Sequence, residues 1–174
     1  MFEKLIDFLL QFIEQLFPFV IVKQTTKGVR LRFGKFLDIL DPGFHWKISF
    51  FDEVLPQTVV WTTFSMPSQS LTSKDGKDVV VKGVIKYRVV DIQIFALEVW
   101  DAIDAISDMT QGIIFDIVKD KTWEELQTID LKPLITRKAR LEAKRWGIEI
   151  ETVTLSDLAK IRSIRLLNDN GSIG

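Results

Sequence analysis

Side chains able to do acid–base, nucleophilic or metal chemistry are few and scattered in this chain. His45 is the single histidine, set between Phe44 and Trp46, and there is no cysteine. With no thiol or second imidazole for a triad or a metal set, the ring reads as an interfacial or half-buried side chain rather than a base. Asp52 and Glu53 are adjacent, and a strand would turn them to opposite faces. Thr72, Lys74 and Asp75 gather before Gly76, where hairpin chemistry accounts for them, Asp75 bonding its own backbone. Arg137, Lys138, Arg140, Lys144 and Arg145 crowd one stretch, which a solvated helix face with favourable charge at a helix C-terminus explains without a phosphate site. Gly28 and Gly34 follow neither P-loop nor dinucleotide-binding spacing. These residues imply no catalytic, cofactor-binding or metal site. What remains are the apolar and aromatic side chains.

Bulk properties narrow the class. A length of 174 residues suits one domain, or two small subdomains with a shared core. The formal net charge of −1 leaves no basic excess to neutralise a phosphate backbone, so nucleic acid is not an expected partner. The absence of cysteine removes disulfides, thiolate nucleophiles and S-palmitoylation, and Phe2 excludes N-myristoylation.

Residues 2–20 predict an amphipathic helix. Glu3, Lys4, Asp7, Gln11, Glu14 and Gln15 fall within about one third of its circumference, and the rest is apolar up to Pro18. Its charges and the lack of a small-residue cleavage site set it apart from a secretory signal. At 1.5 Å per residue it would be about 28 Å long, enough to span. Asp7 and Glu14 oppose a lone span, each costing about 2.5–3.5 kcal/mol near the bilayer centre. Two membrane arrangements stay open, lying in the interface or spanning with the polar stripe against neighbouring copies, beside the plainer alternative of a terminal helix docked on its own domain. In both, Phe2, Leu5, Ile6, Phe8, Leu9, Leu10, Phe12, Ile13, Leu16 and Phe17 are the membrane-contact residues. Lys23, Lys27, Arg30, Arg32 and Lys35 follow the helix and only Lys4 precedes it, which places the domain on the cytoplasmic side.

Strands are expected at Phe19–Val22, at Val29–Phe33 with its apolar–basic alternation, and at Phe36–Leu40 after a break at Gly34-Lys35. Asp41-Pro42-Gly43 is a turn, and the aromatic run behind it offers Phe44, Trp46, Phe50 and Phe51 as a second membrane contact, ordinary core being the alternative. Val54–Met66 reads as one or two strands with Pro56 at an edge, and Asp75-Gly76 turns the chain into the valine-rich strand Val79–Val90. Asp91 caps a short helix, and Asp101–Lys121 has helical spacing, with Gly112 suggesting close packing on a neighbour. Thr122 and Glu125 fit a capping box, Asp130 caps a helix over Leu131–Trp146, and Gly147 stops it. Ile148–Leu155 then alternates as a strand.

Three of these stretches carry a resemblance. The order strand, Gly-Lys, apolar run, Pro-Gly turn, aromatic run and Phe-Asp over Gly28–Asp52 resembles the opening of the SPFH or band 7 family of stomatins, prohibitins, flotillins and HflK/HflC. Leu71, Thr72, Asp75, Gly76, Tyr87, Arg88, Val89 and Asp91 are similar to that family's turn and valine-rich strand. The charged helix, Trp146-Gly147-Ile148, the alternating strand and Ser156-Asp157-Leu158 match its end, so the resemblance covers about residues 20–160.

The resemblance implies an α+β fold, a curved and mainly antiparallel sheet with helices packed on it, behind an N-terminal membrane-associating helix over 1–19. Residues 20–160 form the SPFH domain, in subdomains near 20–90 and 91–160, and 161–174 a polar tail too short for the family's coiled coil. It implies a non-catalytic, membrane-associated scaffold that assembles laterally into a ring-like homo-oligomer. Such assemblies organise membrane patches or membrane-protein clients, proteases among them. Strand Ile148–Leu155, charged only at Glu149 and Glu151, is the expected pairing edge, and without a coiled coil smaller assemblies are expected. The rival reading is a soluble adaptor whose N-terminal helix docks on a partner protein.

Overall fold

The computed structural model describes residues 18–160. The N-terminal helix, with its contact residues from Phe2 to Phe17, and the tail over 161–174 lie outside the described residues. The described residues open with five strands: β1 Phe19–Val22, β2 Thr26–Arg32, β3 Lys35–Leu40, β4 Gly43–Trp46 and β5 Asp52–Thr58. Three more follow, β6 Thr62–Ser65, β7 Gln69–Thr72 and β8 Asp78–Val89. Helices α1 Ile92–Leu97, α2 Ala102–Asp120, α3 Trp123–Thr128 and α4 Leu131–Ala143 come next, then a 3-10 turn at Lys144–Trp146 and β9 Ile148–Lys160.

The fold is α+β, and every strand pairing is antiparallel. The strands distribute over three sheets rather than one: β1–β4, β3-β2-β5, and β8 flanked by β6 and β7 on one side and β9 on the other. Pro56 sits on edge strand β5, where its missing N–H costs no ladder bond. β9 runs on to Lys160, past the end read from the alternation, because Asp157 and Leu158 still pair with Lys82 and Val81 of β8.

One core joins the strand-rich and helical parts of the sequence. Met66, Val79, Val81 and Ile85 from the sheet pack with Ile106, Ile114 and Val118 of α2, Ile135 and Ala139 of α4, and Ile148, Ile150 and Val153 of β9. Full burial of each valine, isoleucine or methionine side chain contributes about 1.5–3 kcal/mol. A smaller cluster of Val29, Val89 and Ile92 seats α1 on the three-stranded sheet, and Phe95 packs against both.

The helix starts follow local rules. Asp91 accepts from Gln93 N and Ile94 N, both at 3.1 Å, and Asp130 from Lys132 N at 3.1 Å. Thr122 and Glu125 form the reciprocal capping box. At the other end of α4, Gly147 takes φ +70, and a Cβ there would stand 2.3 Å from the Asp91 carbonyl. Its own carbonyl accepts from Val90 N at 2.9 Å and Asp91 N at 3.0 Å, so this residue stitches the start of β9 to the end of β8.

Three expectations need correction. Gly112 packs on nothing: a Cβ there would meet no atom within 4 Å. Asp75 does more than bond its own turn, because Oδ1 also accepts from Trp123 N at 3.1 Å and so ties the hairpin to α3. β9 does lie on an edge, but it is guarded. Thr136 Oγ1 accepts from Val153 N at 2.9 Å, and Arg140 donates to the carbonyls of Ile150 at 2.9 Å and Glu151 at 2.6 Å. These bonds satisfy the outward backbone groups beside the bulge in the β8–β9 ladder.

Candidate membrane-facing surface

Phe44, Trp46, Phe50 and Phe51 lie on the surface, with Trp46 66% and Phe50 75% exposed, so they are not core. β4 brings the first two to one end of the molecule by pairing with β1, Phe19 opposite Trp46 and Ile21 opposite Phe44. The Phe19 and Phe44 rings stand 5.2 Å apart, and Phe44 meets Trp46 edge-on at 5.7 Å. Offset and edge-on contacts of this kind stabilise a ring cluster beyond its buried area.

A buried charge holds the next loop, residues 47–51. Asp52 opens β5 with its side chain fully enclosed, while the neighbouring Glu53 is exposed, as strand alternation dictates. The Asp52 carboxylate accepts from Arg32 Nε at 2.6 Å and Nη2 at 3.0 Å, and from Ile48 N at 2.8 Å. The Arg32 hydrogen bond is the main influence, and with the Ile48 amide it outweighs burial and holds the pKa down at about 2. Backbone bonds from Phe51 N and Asp52 N to the Ile48 carbonyl, at 2.8 and 2.7 Å, close the loop. Arg30 donates to the Trp46 carbonyl at 2.8 Å, and Lys47 N to the Pro18 carbonyl at 2.8 Å. The loop is therefore fastened at both ends while Ile48, Phe50 and Phe51 project outward.

A further ring belongs here that the sequence reading placed inside a strand. The β2–β3 hairpin pairs Arg32 with Lys35, so Phe33 and Gly34 are its two-residue loop. Both take positive φ, 51° and 73°, as the mirror-image hairpin turn requires. A bulky residue in that left-handed position is unusual. Phe33 is 71% exposed, its ring 4.7 Å from that of Phe51, and its N–H donates to the Phe51 carbonyl at 2.9 Å. The available signal was the two-residue loop implied by strands on both sides. Setting the break at Gly34-Lys35 hid it.

The polar residues considered for chemistry do structural work. His45 Nε2 is 2.6 Å from the Asp41 carbonyl, within the turn it follows. Ser73 Oγ donates to Asp75 Oδ1 at 2.6 Å inside its own turn, Thr72 donates to Asp78 at 3.0 Å, and Lys77 pairs with Asp75 at 2.8 Å. The Asp75 carboxyl is held well below the usual range, chiefly by the Lys77 and Ser73 hydrogen bonds. Arg137, Lys138, Arg140, Lys144 and Arg145 are exposed; Arg140 serves β9 and Arg145 pairs with Glu142. Among the described residues no group of three or more His, Asp or Glu side chains could hold a metal ion, and no helix is long and apolar enough to cross a membrane.

Comparison with known proteins agrees with this architecture. Residues 20–162 match the model of the SPFH domain / Band 7 family. An uncharacterized protein of Archaeoglobus fulgidus is 27% identical over 79% of this chain and 56% of its own length. The modulator of FtsH protease HflK of Escherichia coli strain K12 is 28% identical over 63% of this chain and 26% of its own length. Stomatin-1 of Caenorhabditis elegans is 27% identical over 79% of this chain and 43% of its own length. The chain thus spans from about a quarter to just over half of these relatives. With the family model matching most of its length, the chain belongs to the SPFH domain / Band 7 family.

Proposed function

We propose that the protein is a membrane-associated, non-catalytic scaffold that touches lipid with its N-terminal segment and with the aromatic end of its folded domain, and that its copies assemble laterally. The observation that carries this reading is the outward group Phe33, Trp46, Phe50 and Phe51, fastened by the enclosed Asp52–Arg32 pair. Large apolar patches exposed on soluble proteins mark interaction sites, and tryptophan, phenylalanine and leucine are the side chains that amphipathic surfaces bury in lipid. Lys47 N donates to the Pro18 carbonyl beside these rings, so the first described residue lies next to them. Lipid would then meet the preceding segment and the rings together. By family membership, and by the printed role of the E. coli relative, the clients we propose are membrane proteins, a protease among them. The basic run from Lys23 to Lys35 supports a cytoplasmic position for the domain.

Flotation with vesicles tests the lipid contact, and particle mass in mild detergent tests assembly. Removing residues 1–17 should weaken flotation, and Trp46→Ala with Phe50→Ser should weaken it further at an unchanged melting temperature. Full flotation by the double variant would exclude the aromatic end. A monomer at micromolar concentration would exclude the scaffold.

A further inference from the structure

Trp100 lies between α1 and α2 with 98% of its surface exposed, the most exposed large apolar side chain among the described residues. The backbone holds it there. Asp101, the next residue, is in the left-handed region at φ 48, ψ 68 and caps α2 by accepting from Asp104 N at 3.2 Å. Phe33 and Asp101 are the two non-glycine residues with positive φ among those described, and each sits at or beside a fully presented aromatic ring. Aspartate tolerates this region, and the turn it makes while capping α2 leaves the Trp100 ring presented outward. A lipid surface is a poor partner for Trp100. No lysine or arginine falls between Arg88 and Lys119, and Glu98, Asp101 and Asp104 surround the ring in sequence, all exposed. Anionic headgroups would repel that collar.

The same chain carries a complementary cleft. Between β1 and the face of β2 and β5 opposite α1 lies an apolar cavity of about 400 Å³, lined by Val20, Val22, Gly28, Val54 and Pro56 with Lys23 at its rim. Gly28 keeps it open, since a Cβ there would meet Val54 Cγ1 at 2.8 Å. Lys23 is exposed and makes no ion pair among the described residues, so the rim offers an unmatched positive charge. Trp100 does not occupy this cleft in its own chain.

We infer that Trp100 of one copy seats in the Val20–Val54–Pro56 cleft of a second copy, with Glu98 and Asp101 meeting Lys23. This contact rests on the lateral-assembly reading above and gives it an interface. A tryptophan seated in an apolar pocket is a common association hot spot, and the Glu98 and Asp101 carboxylates against Lys23 add complementary charge that fixes the register. A knob and a hole on different elements of one chain also allow the contact to repeat from copy to copy.

Particle mass of the full chain in mild detergent, over a dilution series, decides it. Trp100→Ala should weaken association about thirtyfold. Lys23→Glu should weaken it by a smaller factor, and Lys23→Glu with Glu98→Lys in one chain should restore it, which a merely structural role for either residue would not produce. Val54→Trp, which fills the cleft, should act like Trp100→Ala. Unchanged assembly in Trp100→Ala and Lys23→Glu overturns this interface while leaving lateral assembly standing. Reduced vesicle flotation by Trp100→Ala at unchanged mass overturns it in favour of a lipid contact. A wild-type chain that is monomeric throughout overturns both readings.

Discussion

Two hairpins of this chain meet the same backbone demand with opposite side chains. Between β7 and β8 the left-handed position goes to Gly76 at φ +74, and Ser73, Asp75 and Lys77 satisfy one another around it. Between β2 and β3 the left-handed positions go to Phe33 and Gly34, and the phenyl ring is turned out beside Phe51. The first loop is what local stability selects, polar, small and internally bonded. The second departs from that rule in one residue, at the aromatic end where the proposed lipid contact lies. If the proposed contact holds, Phe33 trades local backbone preference for a ring turned outward beside Phe51.

Backbone substitutions set the scale of that comparison. Gly147→Ala should lose at least about 3 kcal/mol, since it combines a left-handed penalty with a Cβ 2.3 Å from the Asp91 carbonyl. Gly34→Ala meets no atom within 4 Å and carries the left-handed penalty alone, about 1 kcal/mol. Chemical denaturation of both variants measures the gap. Equal losses would mean that the β2–β3 turn is more constrained than its open surroundings suggest.

Asp52→Asn comes next, with a loss of about 2 kcal/mol from hydrogen bonds to a charged acceptor. The native carboxyl titrates near 2 against an ordinary value of 3.8. Its contribution is therefore complete above about pH 4 and is lost as the pH falls towards 2. Denaturation midpoints between pH 5 and 2 should decline less steeply in Asp52→Asn than in the wild type. Parallel declines would assign the acid sensitivity to other groups, Asp75 first. A neutral Asn also loosens the 47–51 loop, so vesicle flotation should fall with stability.

Phe33→Asn should do the reverse. Asparagine tolerates the left-handed position, so about 1 kcal/mol of stability should be gained while flotation weakens. A stability gain without a binding loss would remove Phe33 from the lipid contact and leave its backbone unexplained.

The contrast between the two hairpins also shows what could be read in advance. Helix starts at Asp91, Thr122 and Asp130 were legible because each depends on one side chain acting within four residues of itself, and the Gly147 stop and Asp-Gly turn because glycine alone takes the left-handed position freely. The exposure of Trp46 and Phe50 was one of two open readings, since an aromatic run is equally at home in a core. Phe33 was hidden because an apolar–basic alternation runs through it without a break. The guard on β9 could not be seen either: it depends on Thr136 and Arg140, which α4 carries across 10 to 17 positions of sequence. Division into three sheets is likewise a matter of long-range pairing, such as β8 with β9.

Smallest of all should be the effects inside α2, where two residues break local rules with no outward contact to explain them. Gly112 is exposed in mid-helix with open space around its Cα, and Thr110 Oγ1 is buried without a hydrogen-bond partner. Alanine at 112 removes the entropic cost of a helical glycine, and valine at 110 removes an unsatisfied hydroxyl at nearly constant shape. Each should raise stability by a few tenths to about 1 kcal/mol, and because the residues are neighbours on one helix the sum need not be additive. Neither belongs to the aromatic group or lines the Val54 cleft, so flotation and particle mass should not change. That is how they sharpen the comparison with Phe33→Asn. A stability gain of similar size accompanies a binding loss at one site and nothing at the other. If Gly112→Ala instead lowers particle mass, the exposed face of α2 is itself a contact, and its glycine is kept for close approach of a partner rather than tolerated.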